Sequence, residues 1–182
     1  MRTTLIFILA AGAAFVAGAA DQPPRMSPAF TIHQTGGAPE IPLSQYRGKI
    51  VALAFIQTTC PHCQDLTRTL KPIAQEYTPR GVQFLECAFN QGAATLVPQF
   101  IQQFQPPFPV GWADDVAVRV YLQYSFVDTR VLYVPHMVFL DRRGMIRGDF
   151  PGESGFFSDP NTNIRAELDK LLRPAGPVTR KK

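Results

Sequence analysis

The chain has 182 residues, 46% of them apolar and 18% charged, with 17 prolines and three cysteines. This composition excludes a disordered chain, a collagen-like repeat and a disulfide-dense mini-protein, and the length points to one domain with a sizeable core. The net charge is +4, but Arg2 lies in the leader and Arg173, Arg180, Lys181 and Lys182 lie in the tail; without these five, the 18 basic residues fall to 13 against 14 acidic ones. The body is therefore not a cationic surface, and nucleic acid is not an expected partner.

Residues 1–20 open on Met1 and Arg2, continue through the apolar stretch 5–16 and end in the small residues Ala17, Gly18, Ala19 and Ala20. A positive start, an apolar core and a small-residue exit predict a signal peptide cleaved near Ala20, with an uncleaved membrane anchor as the alternative. No cysteine stands at the exit, so a lipid anchor there is excluded. Either reading exports the body to a periplasmic or other extracytoplasmic compartment, where cysteines can pair.

Residues 21–28 are polar and Pro-rich and read as a linker, and 29–172 as the folded domain. The alternating residues 29–33 predict a strand, and 35–39 a turn. The run 50–56 (I-V-A-L-A-F-I) is apolar throughout, as in a central strand buried on both faces. A helix follows over 61–77, with Pro72 expected to kink or interrupt it. Residues 82–89 predict a second buried strand. A helix over 95–104 has Leu96, Phe100 and Phe104 on one face, and another over 116–124 has Val116, Val120 and Tyr124. Between them 106–109 is an extended connection. Residues 137–140 and 145–150 form a hairpin around Gly144. A last helix is striped by Ile164, Leu168, Leu171 and Leu172, with Asn161 or Thr162 as its cap. Residues 173–182 read as a disordered basic tail. Alternation first and a hairpin last predict an α/β fold with a mixed sheet and helices on both faces.

The chemistry centres on Cys60-Pro61-His62-Cys63, between the apolar strand and the helix after it. Open α/β sheets place their reactive groups beyond the carboxyl end of a strand. The helix start offers unpaired N–H groups and the positive end of the dipole, which stabilise a thiolate at Cys60. Pro61 suits the first helical turn because its missing N–H would be unpaired there. Two intervening residues let Cys63 reach back to Cys60, so the pair can form a reversible disulfide. Two structural readings stand beside redox catalysis. A purely structural bridge would close too short a loop to stabilise much. A zinc site would need Cys87, His33, His62 or His136 to complete it. Cys87, inside the second strand, reads as a buried inert thiol, and His33 and Glu86 read as ordinary polar strand positions.

These residues together resemble the thioredoxin-like superfamily, and within it the exported TlpA/ResA-type thiol-disulfide oxidoreductases of the redoxin and AhpC/TSA kind. The resemblance rests on L-S-Q-Y-R-G-K before I-V-A-L-A-F, on Cys60-Pro61-His62-Cys63, and on Val134-Pro135-His136-Met137-Val138-Phe139-Leu140-Asp141 with a turn at Gly144. It implies a three-layer α/β/α sandwich around a mixed sheet. It implies Cys60 as the attacking cysteine, Cys63 as the resolving one and Pro135 as a cis-proline facing them, with no cofactor beyond the cysteine pair. The implied partners are thiols and disulfides of exported proteins and a membrane-bound redox partner. The Pro61-His62 dipeptide is similar to that of the strong oxidant DsbA.

Several positions depart from the family pattern. Ile56 and Thr59 stand where it has tryptophans, Leu66 where it has an acid on the following helix, and Ala54 where cytosolic thioredoxins have a buried Asp. The sequence thus identifies no proton acceptor for Cys63, since the neighbouring Asp65 reads as solvent-facing. Peroxiredoxins have Pro and Thr at seven and three residues before the reactive cysteine, where this chain has Leu53 and Gln57. Two other functions would fit the fold: copper binding by Cys60, Cys63 and His136, since thiolates select Cu(I), and partner docking without catalysis.

Overall fold

The computed structural model describes residues 23–125, 127 and 129–173. The predicted leader and residues 174–182 of the predicted tail lie outside them. Eight strands and four α-helices are described. The strands are β1 (Arg25–Met26), β2 (Thr31–Ile32), β3 (Ile41–Pro42), β4 (Ile50–Ile56), β5 (Val82–Ala88), β6 (Val110–Trp112), β7 (His136–Leu140) and β8 (Met145–Phe150). The helices are α1 (Pro61–Tyr77), α2 (Ala93–Phe104), α3 (Asp115–Tyr121) and α4 (Pro160–Leu172). The main sheet runs β1-β8-β7-β4-β5-β6, and β2 pairs with β3 in a separate ribbon.

The uniformly apolar run becomes the middle of that sheet. β4 pairs parallel with β5 and antiparallel with β7, and all seven of its residues are buried. Successive side chains on a strand point to opposite faces. Ile50, Ala52, Ala54 and Ile56 therefore join α1, α2 and α4 in one core, while Val51, Leu53 and Phe55 join Phe30, Ile32, Val118 and Tyr121 in the other. The result is the expected three-layer sandwich with a mixed sheet. Each buried Leu, Ile, Val or Phe contributes roughly 1.5–3 kcal/mol, so the two apolar faces of β4 hold both layers to the sheet.

Several local expectations are corrected. The sheet begins inside the segment read as a linker, because Arg25 and Met26 pair with Ile146 and Met145 of β8. Helix α1 continues through Pro72 without a break. Helix α2 starts at Ala93 and buries Val97 with Phe100 and Phe104, and Leu96 lies beside the buried face. Helix α3 is shorter than predicted and turns a different face inward: Val118 and Tyr121 are buried, whereas Val116 and Val120 are exposed. The cap of α4 is Asp159, whose carboxylate accepts from the Thr162 N–H, with Pro160 in the first turn. The short strands β3 and β6 have too few residues to show a period.

Candidate active site

Chain reversal between β4 and α1 presents Cys60 at the N-terminus of α1. Cys60 is the N-cap residue with extended backbone (φ −79°, ψ 120°), Pro61 follows in the first turn, and the Gln64 N–H donates to the Cys60 carbonyl at 3.0 Å. No side chain caps this helix end, so its first N–H groups face the Cys60 side chain's surroundings and favour negative charge there. Cys60 is half-buried, Pro61 and His62 are exposed, and Cys63 is wholly buried one turn into the helix. All three cysteines are free thiols.

The two thiols differ in environment. Burial pushes the Cys63 thiol far above the ordinary cysteine range; the Gln57 backbone N–H, 3.5 Å from its sulfur, opposes this, and Cys60 and the carboxyl of Glu86 push it further up. Cys63 is therefore held as a protonated thiol. Cys87 is also wholly buried and pushed up by burial, but it belongs to the core on the opposite face of the sheet. It does not join the pair.

The loop before Cys60 is braced by residues that carry no sequence signature. Asn90, just after β5, accepts from the Thr58 N–H at 2.9 Å and donates through Nδ2 to the Thr58 hydroxyl at 3.1 Å. Gln64 reaches back from α1 to donate to the Thr58 carbonyl at 2.9 Å. These bonds tie the ends of β4, β5 and α1 together at the redox motif.

The Val134–Pro135 peptide bond is cis. It immediately precedes β7, whose His136 pairs with Phe55 of β4, so the segment lies at the same end of the sheet as Cys60. A groove of about 450 Å³ runs beside the motif, lined by His62, Leu66, Val134, Pro135, Gly152 and Phe157 among others. His62 and Pro135 thus share one surface depression. Gly152 is closely packed under it: its N–H donates to the Tyr133 carbonyl at 3.3 Å, and a Cβ there would stand 2.9 Å from the Val134 nitrogen.

His136 points elsewhere. Its Nε2 lies 2.5 Å from Asp149 Oδ1, and the other oxygen of Asp149 pairs with Arg25 at 2.8 Å. Asp149 is in register with Val138, whose side chain belongs to the core of the α3 face, opposite Cys63. The structure therefore does not bring His136 to the cysteine pair as a third copper ligand. Among the described residues no group of three His, Cys, Asp or Glu is placed to hold a metal ion. His33 bonds Glu40 and stacks on Trp112, away from the motif. Asp65 pairs with Arg68 at the surface.

Glu86, which reads in the sequence as an ordinary polar strand position, has an environment that the sequence does not show. It is wholly buried on the α1 face and accepts from the Thr67 hydroxyl at 2.9 Å. Burial pushes its carboxyl up to about 8 against the pull of that hydrogen bond. The available signal was its place inside an otherwise apolar strand, V-Q-F-L-E-C-A, at a position of the same parity as Phe84 and Ala88.

A Cys-x-x-Cys motif at the head of a helix, beside a cis-proline loop at the same end of a mixed sheet in a three-layer sandwich, defines a thioredoxin-like fold. The chain belongs to the AhpC/TSA family, whose model matches residues 24–148. Solved structures agree on the fold. The thiol:disulfide interchange protein, thioredoxin family protein, from Chlorobium tepidum TLS has a TM-score of 0.63 at 21% identity, covering 82% of this chain and 99% of that one. A thiol:disulfide interchange protein from Bacteroides sp. has a TM-score of 0.65 at 14% identity, covering 87% and 95%. The thioredoxin domain of a thiol-disulfide oxidoreductase from Bacteroides vulgatus has a TM-score of 0.62 at 16% identity, covering 79% and 95%. No curated protein matches the chain in sequence.

Proposed function

We propose that the chain is an exported thiol-disulfide oxidoreductase acting on protein substrates through Cys60 and Cys63. The observation that carries this reading is the contrast within the motif: Cys60 is accessible at the α1 N-terminus, and Cys63, one turn on, is wholly buried. In the reducing direction the Cys60 thiolate attacks one sulfur of a substrate disulfide, forming a mixed disulfide and releasing the other substrate sulfur as a thiolate. Cys63 then loses its proton and attacks Cys60 Sγ, which releases the second substrate thiolate and leaves the Cys60–Cys63 disulfide. Two electrons pass from the dithiol to the substrate, and a membrane-bound dithiol donor restores the pair. The reverse sequence oxidises substrate thiols. The groove beside His62 and Pro135 supports docking of a polypeptide next to Cys60.

The leader supports export, and no helix among the described residues is long and apolar enough to cross a membrane. Trapping tests the assignment. Cys63→Ser should accumulate mixed disulfides with exported proteins on non-reducing gels, and Cys60→Ser should not. Equal trapping by both variants would reject the roles given to the two cysteines.

A further inference from the structure

The resolving step requires a buried thiol to give up a proton. Asp65 is paired at the surface, Ala54 and Leu66 carry no acid, and Cys87 lies across the sheet. Glu86 is the only carboxylic residue wholly buried among the described residues, and it shares the α1 face with Cys63. Thr67, one turn after Cys63, joins the two positions: its hydroxyl lies 3.1 Å from the Cys63 carbonyl oxygen and 2.9 Å from Glu86 Oε1. The other oxygen, Oε2, is buried with no hydrogen-bond partner. Ala54 stands beside Glu86 in register on β4 and Val110 on β6, so small or apolar neighbours enclose the carboxyl.

We propose that Glu86 is the proton acceptor of the resolving step, taking the proton of the Cys63 thiol as Cys63 Sγ attacks Cys60 Sγ in the mixed disulfide. The inference rests on the oxidoreductase reading above. The step balances: the Cys63 S–H bond breaks and a Glu86 O–H bond forms; the Cys63–Cys60 S–S bond forms and the Cys60–substrate S–S bond breaks; the substrate sulfur leaves as a thiolate with the electron pair. When the pair is reduced again, the proton returns from Glu86 to Cys63. Glu86 and the Cys63 sulfur share no direct hydrogen bond in the dithiol, so the proton crosses through one bridging water or by a swing of the Glu86 side chain, both within the reach of a general base.

Thr67 allows both protonation states. A hydroxyl has one hydrogen. With Glu86 ionised, Thr67 donates to Oε1. With Glu86 protonated, the acid O–H donates to Thr67, whose own hydrogen turns to the Cys63 carbonyl. The other titratable groups around the pocket are few. On α1 these are Cys60, Lys71, whose Nζ donates to the Phe104 carbonyl at 2.8 Å, and Tyr77, at the far end of the helix beside Arg80 and Asp169. Ala54 of β4, Val110 of β6 and Val97 and Phe100 of α2 bring none. Burial holds the carboxyl at about 8, close enough to neutrality for it to gain and lose a proton during turnover.

The test is single-turnover reduction of an aryl disulfide whose two thiolates absorb on release, so that the first release reports attack by Cys60 and the second reports resolution by Cys63. In the wild type, resolution should rise with pH to a plateau with a midpoint near 8. In Glu86→Gln the first release should be unchanged within about twofold, while the second slows by about a hundredfold and climbs with pH without that midpoint. Glu86→Asp should recover part of the rate. Thr67→Val keeps the carboxyl and removes the bond that lowers its titration, so its midpoint should move to higher pH. Resolution in Glu86→Gln within threefold of wild type with the same pH profile, or an unmoved midpoint in Thr67→Val, would overturn the proposal. A wild-type protein that releases no second thiolate would instead overturn the oxidoreductase reading.

Discussion

His136, next to Pro135 on β7, is in hydrogen-bond contact with the half-buried Asp149 of the neighbouring strand β8: its Nε2 meets Asp149 Oδ1 at 2.5 Å. Asp149 also holds Arg25 of β1 at 2.8 Å, so the first strand, the hairpin and the segment next to the redox motif share one ion cluster. Burial alone would raise the Asp149 carboxyl, but the hydrogen bond and charge of His136, and then those of Arg25, outweigh it and hold the group below the usual carboxylate range.

Asp149→Ala leaves Arg25 without its partner, with Nε and Nη1 already buried and unbonded. The expected loss near neutral pH is about 3 kcal/mol, the lower end for breaking a buried pair, since Arg25 keeps some solvent contact. A carboxyl lowered by folding contributes stability above its ordinary titration, and this is lost as pH falls through the folded value. Urea unfolding should therefore show a gap between wild type and variant that narrows below about pH 4. A gap of constant size into strong acid would contradict the pairing.

Gly152 tests the groove floor. A Cβ at this position would stand 2.9 Å from the Tyr133 carbonyl carbon and the Val134 nitrogen and 3.0 Å from the Val134 carbonyl carbon. These are backbone atoms that cannot rotate away. Gly152→Ala should cost about 1–3 kcal/mol by overpacking and lower turnover by displacing the Val134–Pro135 segment. Unaltered melting and turnover together would show that the loop yields without cost.

Glu86 gives a stability prediction of opposite sign to Asp149. Its carboxyl titrates at about 8 in the folded chain against 4.5 ordinarily. Between those values the folded state keeps a proton that the unfolded chain has lost, so wild-type stability falls as pH rises through this window. Glu86→Gln carries no such proton. Its stability relative to wild type should be higher at pH 8 than at pH 4 by an amount on the order of a few kcal/mol. Parallel pH profiles of the two proteins would refute the shifted titration.

How much of this was readable beforehand follows from local chemistry. The run 50–56 fits a strand buried on both faces, as it is in the structure, and Cys60 and Cys63 carry their spacing with them. The short strand Val110–Trp112 shows no period in three residues. The face of α3 was misread because Val116 and Val120 share a helical stripe, yet Val118 and Tyr121 meet the sheet. Glu86 reads as an ordinary polar strand position even though its strand reads as buried, because only the closed fold brings the Thr67 hydroxyl to its carboxyl and removes it from water. Asn90 and Gln64 act through bonds that only the closed β4–α1 loop creates.

His62 bears on direction. It is exposed in the first turn of α1, beside Cys60. A ring that donates to, or carries charge beside, the Cys60 sulfur favours the reduced form. At an exposed helix terminus such an interaction is worth roughly 0.3–1 kcal/mol, or roughly 6–20 mV for the two-electron couple. The wild-type midpoint should lie above roughly −270 mV, the thioredoxin reference, and His62→Gly should make the pair more reducing by that amount. A wild-type value at or below the reference, unmoved by His62→Gly, would assign the protein to reduction.

The strand order β1-β8-β7-β4-β5-β6 ends on two very short strands, of two and three residues. Both margins are also occupied: Ser27 donates to the Gly144 carbonyl beyond β1, and His33 forms a two-way backbone bridge with Trp112 on β6. Few unpaired ladder groups remain for another chain to extend. Among the described residues, both edges of the sheet thus leave little backbone for strand addition, so another polypeptide would have to meet this fold through side chains rather than by lengthening its sheet.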